Sequence, residues 1–306
     1  MIDLVFLAIL TGVGTLSSPP AQRSTDSLRA AITARVAQTK GATVAVAFRR
    51  LGTTDTLMIA ADSDFHAAST MKVPVMIELF QQVDSGRLSL DRKLTLVNQF
   101  TSIADGSPYS LDMADDSDSS LYARVGTQVP IRELMDLMIT RSSNLATNVL
   151  IDVAGAPRAQ QAMRALGASR IRVLRGVEDG KAYKLGMNNT TTARDLTIIM
   201  SAIAENRAAS PASCAAMREI LFRQEFKDEI PAGLPPNTRV AHKTGWIDGR
   251  VLHDAAIIYP AGGPVYVLTV LTSGVADLKA NSALIADISR LVYGHVLSAS
   301  LAGRAS

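Results

Sequence analysis

Ser69 and Lys72 are the residues whose types and spacing most directly suggest chemistry. Four apolar residues follow them at helical spacing: Val73, Met76, Ile77 and Phe80. Pro74 fits only near the start of a helix, so we expect Ser69 at the helix beginning and Lys72 one turn later on the same face. A serine becomes a nucleophile when a base takes its proton, and burial makes a lysine amine such a base. An N-cap serine before a solvated lysine explains the pair equally well.

Two further short motifs contain similar residue types. Ser142-Ser143-Asn144 lies at a predicted junction between two helices, where a serine is also a common N-cap. Lys243-Thr244-Gly245 ends a predicted strand just before Trp246, and Lys243 and Gly245 share one face because strand side chains alternate. Each motif alone is compatible with ordinary structure.

The composition describes a globular protein and excludes several classes of function. Of the 306 residues, 47% are apolar and 19% are charged, which favours a sizeable core over disorder. The net charge is only +3 and the basic residues are scattered, so we expect no nucleic-acid partner. Cys214 is the only cysteine, and the four histidines are not spaced as metal ligands. We therefore expect no metal and no cofactor.

The N-terminal residues suggest export. Leu4–Leu16 is apolar and ends at Ser17-Ser18-Pro19-Pro20, which is too short for a transmembrane helix and typical of a signal-peptide core. However, Asp3 and the absence of a preceding Lys or Arg are unlike a signal peptide, so an ordinary apolar segment is the alternative. We expect 1–23 to be a targeting segment of a periplasmic or secreted monomer without a stable membrane anchor.

The rest of the chain alternates between helical and strand patterns. Predicted helices are a helix capped by Ser24 or Thr25 and running to Lys40, the Ser69 helix to about Gly86, Pro130–Ile139, Asn144–Val153, Pro157–Leu166, Ala193–Glu205, Ala212–Phe222 and Ala276–Ser298. Predicted strands are Thr43–Arg50, Asp55–Ala60, Arg239–Gly245, Val251–Tyr259 and Val265–Thr272. Asn98–Leu121 is rich in aspartate but lacks the glycine and glutamate of a calcium loop, which favours a solvated surface loop.

Strands near both chain ends, with helices between them, predict an α+β fold. We expect a three-layer α/β/α single catalytic domain over residues 24–306, with one antiparallel sheet formed from both chain ends. Its sheet subdomain would be 24–65 and 237–306, and an inserted, mostly helical subdomain would span about 66–236.

The three motifs Ser-x-x-Lys, Ser-x-Asn and Lys-Thr-Gly occur once each, in that order. The same order is found in penicillin-binding proteins and class A β-lactamases. From about residue 24 to the C-terminus the sequence resembles this superfamily of serine hydrolases, most closely its class A β-lactamase branch. The resemblance implies a β-lactamase/transpeptidase-like fold and an acyl-serine formed from a small β-lactam or peptidoglycan-like substrate.

The resemblance also implies roles for the motif residues. Ser69 would attack the carbonyl with Lys72 as base or relay, and Ser142 would pass a proton to the leaving nitrogen. Lys243 would supply positive charge for the substrate carboxylate. The oxyanion hole would use the backbone N–H groups of Ser69 and Trp246.

Five residues are candidates for substrate binding. Asn144 would hold the substrate amide and Lys72, Thr244 would bond the substrate carboxylate, and Gly245 would let the ligand approach the strand backbone. Arg250 is a second carboxylate anchor, or else a solvated hairpin arginine. Tyr109 walls the cleft, or else packs on the surface of its loop.

Glu178 is the candidate base for releasing the acyl group, a step that class A enzymes perform with a glutamate. In class A enzymes this glutamate lies on a loop between the second and third motifs. Glu178 is the glutamate in the corresponding region here, in an irregular loop predicted over Gly176–Asn189. Family members usually follow this glutamate with proline and, further on, Leu-Asn, whereas Asp179 stands next here. The water-holding asparagine is therefore absent at that spacing, and Asn188 or Asn189 are substitutes.

Three functions remain open from sequence. The first is a serine β-lactamase. The second is a related acyl-enzyme hydrolase, such as a D-alanyl-D-alanine carboxypeptidase, an esterase or an amidase, which the missing asparagine favours. The third is a non-hydrolytic penicillin-binding or sensor domain, which the lack of a second signalling segment disfavours.

Overall fold

The computed structural model describes residues 20–302, and side chains within residues 25–298. Its α-helices are α1 (Pro20–Ala37), α2 (Lys72–Asp84), α3 (Ile131–Thr140), α4 (Asn144–Ala154), α5 (Ala156–Ala165), α6 (Gly180–Lys184), α7 (Ala193–Ala204), α8 (Pro211–Phe222) and α9 (Leu278–Ala302). Its strands are β1 (Thr43–Arg50), β2 (Thr56–Ile59), β3 (Phe65–His66), β4 (Lys93–Thr95), β5 (Phe100–Thr101), β6 (Pro108–Tyr109), β7 (Gln128–Pro130), β8 (Thr190–Thr191), β9 (Arg239–Ile247), β10 (Val251–Tyr259) and β11 (Tyr266–Ser273).

The main sheet has five antiparallel strands in the order β2-β1-β11-β10-β9. β1 pairs with β11 from Thr43↔Ser273 to Arg50↔Tyr266, so the first long strand lies beside the last. β9 pairs with β10 and forms one edge of the sheet. The predicted antiparallel sheet built from both chain ends is therefore confirmed.

Alternate residues of β1 face opposite sides of the sheet, as strand geometry requires. Val46 and Phe48 belong to the core that α1 and α9 cover, whereas Ala45 and Ala47 belong to the larger core that contains α2 and α7. The small alanine side chains let α7 approach closely, and the Thr197 hydroxyl lies 3.4 Å from the carbonyl of Ala47. Helices cover both faces, which gives the predicted α/β/α layers.

α2 is the central helix of the larger core. A short 3₁₀ turn, Ala68–Met71, leads directly into it, and every residue from Lys72 to Phe80 is buried. Burial is therefore more complete than the single buried face expected from the sequence. Pro74 occupies the first turn, where no intrahelical N–H bond is lost.

Three sequence-based expectations differ from the structure. Ser24 and Thr25 do not cap α1, because that helix begins at Pro20, a residue that suits the first helical position, and ends at Ala37. The loop predicted as irregular contains α6, whose first turn is capped by the Asp179 carboxylate. The aspartate-rich loop is not fully solvated, because Asp118 is only 5% exposed.

The predicted N-terminal targeting segment is described only from residue 20 onwards. Residues 1–19 of the predicted targeting segment lie outside the described residues, and residues 20–23 begin α1. Within the described part of the chain, no helix is long and apolar enough to cross a membrane.

Candidate active site

Ser69 lies on the 3₁₀ turn at the head of α2 and borders a large open cleft. The preceding Ala68 has φ +46°, a left-handed conformation that is unfavourable for a residue with a side chain. Thr70 locks the turn by donating its hydroxyl to the carbonyl of Ala67 at 2.6 Å. A strained backbone conformation at Ala68 thus accompanies the placement of Ser69 at the cleft, and such strain is common at functional sites.

Lys72 is the first residue of α2, and its side chain is fully buried beneath Ser69. Its ammonium donates to the carbonyl of Ser142 at 2.6 Å and to the Asn144 side-chain oxygen at 2.9 Å. Burial lowers the pKa of Lys72 to about 7, although the charges of Asp116 and Glu178 act in the opposite direction. At neutral pH the amine is therefore available as a proton acceptor.

The Ser142 hydroxyl lies between two buried lysines. Lys72 Nζ is 3.2 Å and Lys243 Nζ is 3.1 Å from Ser142 Oγ. Ser142 has φ +60°, so the backbone at the junction of α3 and α4 is also held in a left-handed conformation. A hydroxyl bonded by two amines can receive a proton from one side and pass it to a group in the cleft.

Lys243 is also fully buried, on the edge strand β9. Its amine donates to the carbonyl of Thr244 at 3.0 Å as well as to Ser142. Burial, and next the positive charge of Lys72, hold the pKa of Lys243 well below its usual value. Thr244 itself borders the cleft, where its hydroxyl can meet an anionic group.

Gly245 brings β9 against the turn that carries Ser69. A Cβ on Gly245 would lie 3.1 Å from the backbone nitrogen of Ser69 and 3.1 Å from that of Thr70. Such an approach is tighter than an ordinary side-chain contact, so glycine is required here for close packing. The next residue, Trp246, is half exposed at the cleft. The backbone N–H groups of Ser69 and Trp246 are thus brought to the same region.

Glu178 borders the same cleft from the loop before α6. It has φ +58°, the third left-handed residue at this site. Burial raises the pKa of Glu178, and so does the charge of Asp115, whereas Lys72 lowers it. A raised pKa makes the Glu178 carboxylate a stronger base than an ordinary surface carboxylate, as a general base requires.

Asn148 was not singled out from the sequence, yet it holds the Glu178 loop in place. Its side-chain oxygen accepts the N–H of Val177 at 2.6 Å, and its amide group donates to the Val177 carbonyl at 3.0 Å. The sequence feature that could have indicated Asn148 is its position as a polar residue one turn after Asn144 in a mostly apolar helix.

Tyr109 differs from its expected place. It is not among the residues that line the cleft. Its hydroxyl donates to the carbonyl of Val177 at 3.2 Å and its ring packs against Phe100. Tyr109 therefore supports the back of the Glu178 loop, because the β5–β6 hairpin lies behind that loop.

Asn189 and Asn188 also stabilise this loop. The Asn189 side-chain oxygen accepts the N–H of Leu174 at 2.7 Å, and its amide donates to the carbonyl of Arg175 at 2.9 Å. The Asn188 side chain accepts from the Arg175 guanidinium at 3.0 Å. Their polar atoms are thus used to brace the loop, which weakens the expectation that either replaces the missing water-holding asparagine.

Arg250 is exposed in the turn between β9 and β10 and borders the cleft. Its guanidinium contacts the hydroxyl of Tyr183 and lies 5.3 Å from the centre of that ring. The expected anchor therefore stands at the cleft mouth, where α6 meets the β9–β10 turn.

Histidines and acidic residues do not form a metal site in the described part of the chain. Burial lowers the pKa of both His66 and His253 to about 4, so both rings are neutral at physiological pH. The neutral His253 ring donates from Nε2 to the carbonyl of His66 at 2.9 Å, and its Nδ1 accepts the N–H of Thr272 at 3.3 Å. These contacts indicate structural rather than ligating roles.

The fold and the site together define a serine hydrolase of the β-lactamase/transpeptidase-like class. A family model described as the beta-lactamase enzyme family matches residues 27–296. The chain therefore belongs to the beta-lactamase enzyme family.

Relatives agree with this assignment. The beta-lactamase VEB-1 of Pseudomonas aeruginosa is 23% identical over 309 residues, which covers 97% of this chain and 99% of VEB-1. A solved beta-lactamase from Sphaerobacter thermophilus DSM 20745 has a TM-score of 0.76 and 28% identity, and covers 89% of this chain and 97% of its own.

A second solved relative is named as a penicillin-binding protein. The structure of PBP-A has a TM-score of 0.73 and 30% identity, and covers 88% of this chain and 95% of its own. A mutant of PBP-A, with the same TM-score of 0.73, is solved as an acyl-enzyme complex with penicillin G.

Proposed function

We propose that this protein is a class A serine β-lactamase that opens the lactam amide through an acyl-serine intermediate. The observation that carries the proposal is that Glu178 borders the same cleft as Ser69. Hydrolysis of an acyl-serine needs a base that activates water, and a carboxylate at the cleft with a raised pKa suits that role. A penicillin target without such a base would keep the acyl group.

In the proposed acylation step, Ser69 Oγ bonds to the lactam carbonyl carbon while Lys72 takes the hydroxyl proton. The lactam C–N bond then breaks, and its nitrogen receives the Ser142 proton. Lys72 returns a proton to Ser142 across the 3.2 Å contact between Nζ and Oγ. The N–H groups of Ser69 and Trp246 stabilise the negative carbonyl oxygen of the tetrahedral intermediate.

In the proposed deacylation step, Glu178 takes a proton from water as the water oxygen attacks the ester carbon. The bond to Ser69 Oγ breaks, and Ser69 Oγ receives the proton that Glu178 took from the water, which restores the Glu178 carboxylate. Asn144, Thr244 and Gly245 line the substrate side. Lys243 is the cation for the substrate carboxylate, whose negative charge favours the protonated amine that burial and Lys72 disfavour. Arg250 is a second anion anchor once it exchanges its contact with Tyr183 for the substrate.

We also propose the setting in which the enzyme acts. The single catalytic domain spans 24–306, with 1–23 as a targeting segment, and the protein works as a periplasmic or secreted monomer on a small-molecule substrate. The apolar run Leu4–Leu16 supports export. The mechanism needs no metal, since every proton acceptor and donor in it is a side chain of this chain.

A second candidate is an acyl-enzyme hydrolase for another substrate, such as a D-alanyl-D-alanine carboxypeptidase. The specific observation that favours it is that Asn189 binds backbone groups of its own loop at 2.7 and 2.9 Å, so its side chain is engaged away from any hydrolytic water. The likeness to PBP-A fits this candidate as well.

Intact-protein mass measured after mixing with benzylpenicillin, with substrate loss followed in parallel, tests the proposal. We expect rapid substrate loss with little adduct in the wild type. Ser69→Ala should show neither adduct nor loss, whereas the exposed control Ser63→Ala should behave as wild type. A lasting adduct with no turnover would favour the second candidate, and a wild type that forms no adduct and consumes no substrate would refute both.

A further inference from the structure

Asp116, in the aspartate-rich loop, places its carboxylate at the start of α4. Asp116 Oδ1 accepts the N–H of Asn144 at 2.9 Å, and Oδ2 accepts that of Leu145 at 2.9 Å. The first N–H groups of a helix have no partner inside the helix, and a negative charge there is favoured by the helix dipole. Tyr122 holds the carboxylate from the other side by donating its hydroxyl to Oδ2 at 3.0 Å.

The second motif in this chain lacks a carboxylate of its own. The Ser-Asp-Asn form of the motif has aspartate in the middle, where Ser143 stands here. Ser143 accepts the N–H of Ala146 at 3.3 Å, as an ordinary N-cap does. The negative charge at this helix start is therefore provided by a different loop, through a residue that is distant in sequence.

The position of Asp116 connects two parts of the site. Asn144, whose N–H it binds, also contacts Lys72 at 2.9 Å, and Ser142 lies two residues before Asn144. The charged groups that surround the Lys72 amine are Lys243 on β9, Glu178 on its loop and Asp116. Asp116 raises the pKa of Lys72, in opposition to the larger effect of burial.

Other ionisable groups face Asp116 itself. Burial raises the pKa of Tyr122, and the charge of Asp116 raises it further, so Tyr122 stays a neutral hydrogen-bond donor. The charges of Asp112 and Glu178 act on Tyr122 in the same direction. Asp116 also raises the pKa of Glu178, although burial is the larger cause.

We propose that Asp116 is a positioning residue for acylation, which fixes Ser142 and Asn144 at Lys72 through the start of α4 and places a negative charge near the Lys72 amine. This inference rests on the proposed function, because it assigns Asp116 to the acylation step of that reaction. It predicts two separable effects: a lower maximal acylation rate when the motif is misplaced, and a shifted pH dependence when the charge is removed.

The test is the acylation rate with benzylpenicillin in single-turnover experiments across pH. Asp116→Asn keeps the shape of the side chain and removes its charge. The acid limb of the pH profile of the acylation rate, which reports deprotonation of Lys72, should therefore shift to lower pH by about one unit, the effect of one nearby charge. The maximal rate should fall about tenfold through misplacement of Ser142 and Asn144. Asp112→Asn, an exposed cap in the same loop, should change neither.

If the acid limb of the pH–rate profile lies at the same pH in folded Asp116→Asn as in the wild type, the proposal is overturned. A residue with a merely structural role would change the maximal rate without changing the pH of this limb. Asp116→Ser, which keeps a short acceptor, serves if the asparagine variant does not fold, with the same expected shift and the same contrary result.

A second measurement separates this inference from the proposed function. NMR titration of ¹³C-labelled lysine, with Lys72 assigned through Lys72→Met, reports the Lys72 pKa without any substrate. If the wild type neither forms an acyl-enzyme with benzylpenicillin nor consumes it, the proposed function fails. The titration then decides the electrostatic part: a lower Lys72 pKa in Asp116→Asn supports it, and an unchanged one overturns it.

Discussion

Asn148 in α4 holds Val177 by both polar groups of its side-chain amide. The oxygen accepts the Val177 N–H at 2.6 Å, and the nitrogen donates to the Val177 carbonyl at 3.0 Å. Because Val177 precedes Glu178, this pair of bonds connects the helix that carries Asn144 to the loop that carries the proposed deacylation base. A Cβ on Gly176 would lie 2.3 Å from the Asn148 side-chain oxygen, so the loop also needs glycine there.

Asn148→Ala should slow deacylation far more than acylation. The variant leaves the Val177 N–H without its partner and the Val177 C=O with only the Tyr109 hydroxyl, which costs about 1–3 kcal/mol of stability and loosens the loop. Misplacing Glu178 by about 1 Å is expected to lower deacylation about a hundredfold. The two steps are measured by stopped-flow acylation and by the decay of the acyl-enzyme mass.

Asn98→Ala is a matched control for that variant. Asn98 makes a similar pair of bonds to the backbone of Leu111, at 2.8 and 3.0 Å, but does not touch the Glu178 loop. It should lower stability without a selective loss of deacylation. Equal losses in both steps for Asn148→Ala would contradict the role given to this residue.

Glu178→Gln should convert the enzyme into one that is acylated and stays acylated. Glutamine keeps the size of the side chain but cannot accept the water proton, and general-base catalysis is worth about 10²–10⁴-fold. A one-ligand adduct should accumulate with benzylpenicillin at nearly the wild-type rate. The exposed control Glu219→Gln should turn over as wild type does, and full turnover by Glu178→Gln would disprove the assignment.

Gly245→Ala should impair acylation while leaving the protein folded. The added Cβ would meet the backbone nitrogens of Ser69 and Thr70 at 3.1 Å, so β9 must move away from the turn and widen the proposed oxyanion hole. We expect acylation to fall about tenfold to a hundredfold. Gly294→Ala, in α9 with open space around its Cβ, is the control and should raise helix stability slightly.

The free energy of unfolding should rise with pH above neutrality because of Lys72. Its pKa is about 7 in the folded protein and near 10.5 when exposed, so the unfolded chain binds more protons between these values. Stability therefore increases with pH in this window, by up to about 1.4 kcal/mol per pH unit for one lysine. Lys243, whose pKa is also lowered by burial, acts in the same direction.

Denaturant unfolding at several pH values between about 8 and 10 measures this slope. Lys72→Met should reduce the slope, whereas the exposed control Lys184→Met should not. An identical slope in wild type and Lys72→Met would show that the buried amine does not titrate in this window.

Local patterns were sufficient to place the three motifs. The helix start near Pro74 and the strand that carries Lys243-Thr244-Gly245 depend on neighbours in sequence. The structure has both, although β9 does not end at Gly245 as expected but continues to Ile247. By contrast, the support that Asn148 and Asp116 give to the site depends on contacts between segments far apart in the chain. No periodicity reports such contacts, and for the same reason the sequence did not decide whether Tyr109 walls the cleft or packs on its loop.

The backbone strain at the site was equally inaccessible from sequence. Ala68, Ser142 and Glu178 all have positive φ. None is a glycine or an asparagine, the residue types that usually signal this conformation. Packing around each residue imposes it, so only the assembled structure reveals it.

The pairing of β1 with β11 also bears on how the protein is made. A nascent chain that has emerged as far as α8 contains Ser69, Lys72, Ser142 and Glu178. However, β11, which pairs with β1 on the side away from β2, has not yet been synthesised or is still in the ribosome. Pairings between distant segments form late and slowly. Lys243, which completes the group of side chains around Ser142, arrives with those same last strands. An incompletely synthesised chain should therefore be unable to react with a β-lactam.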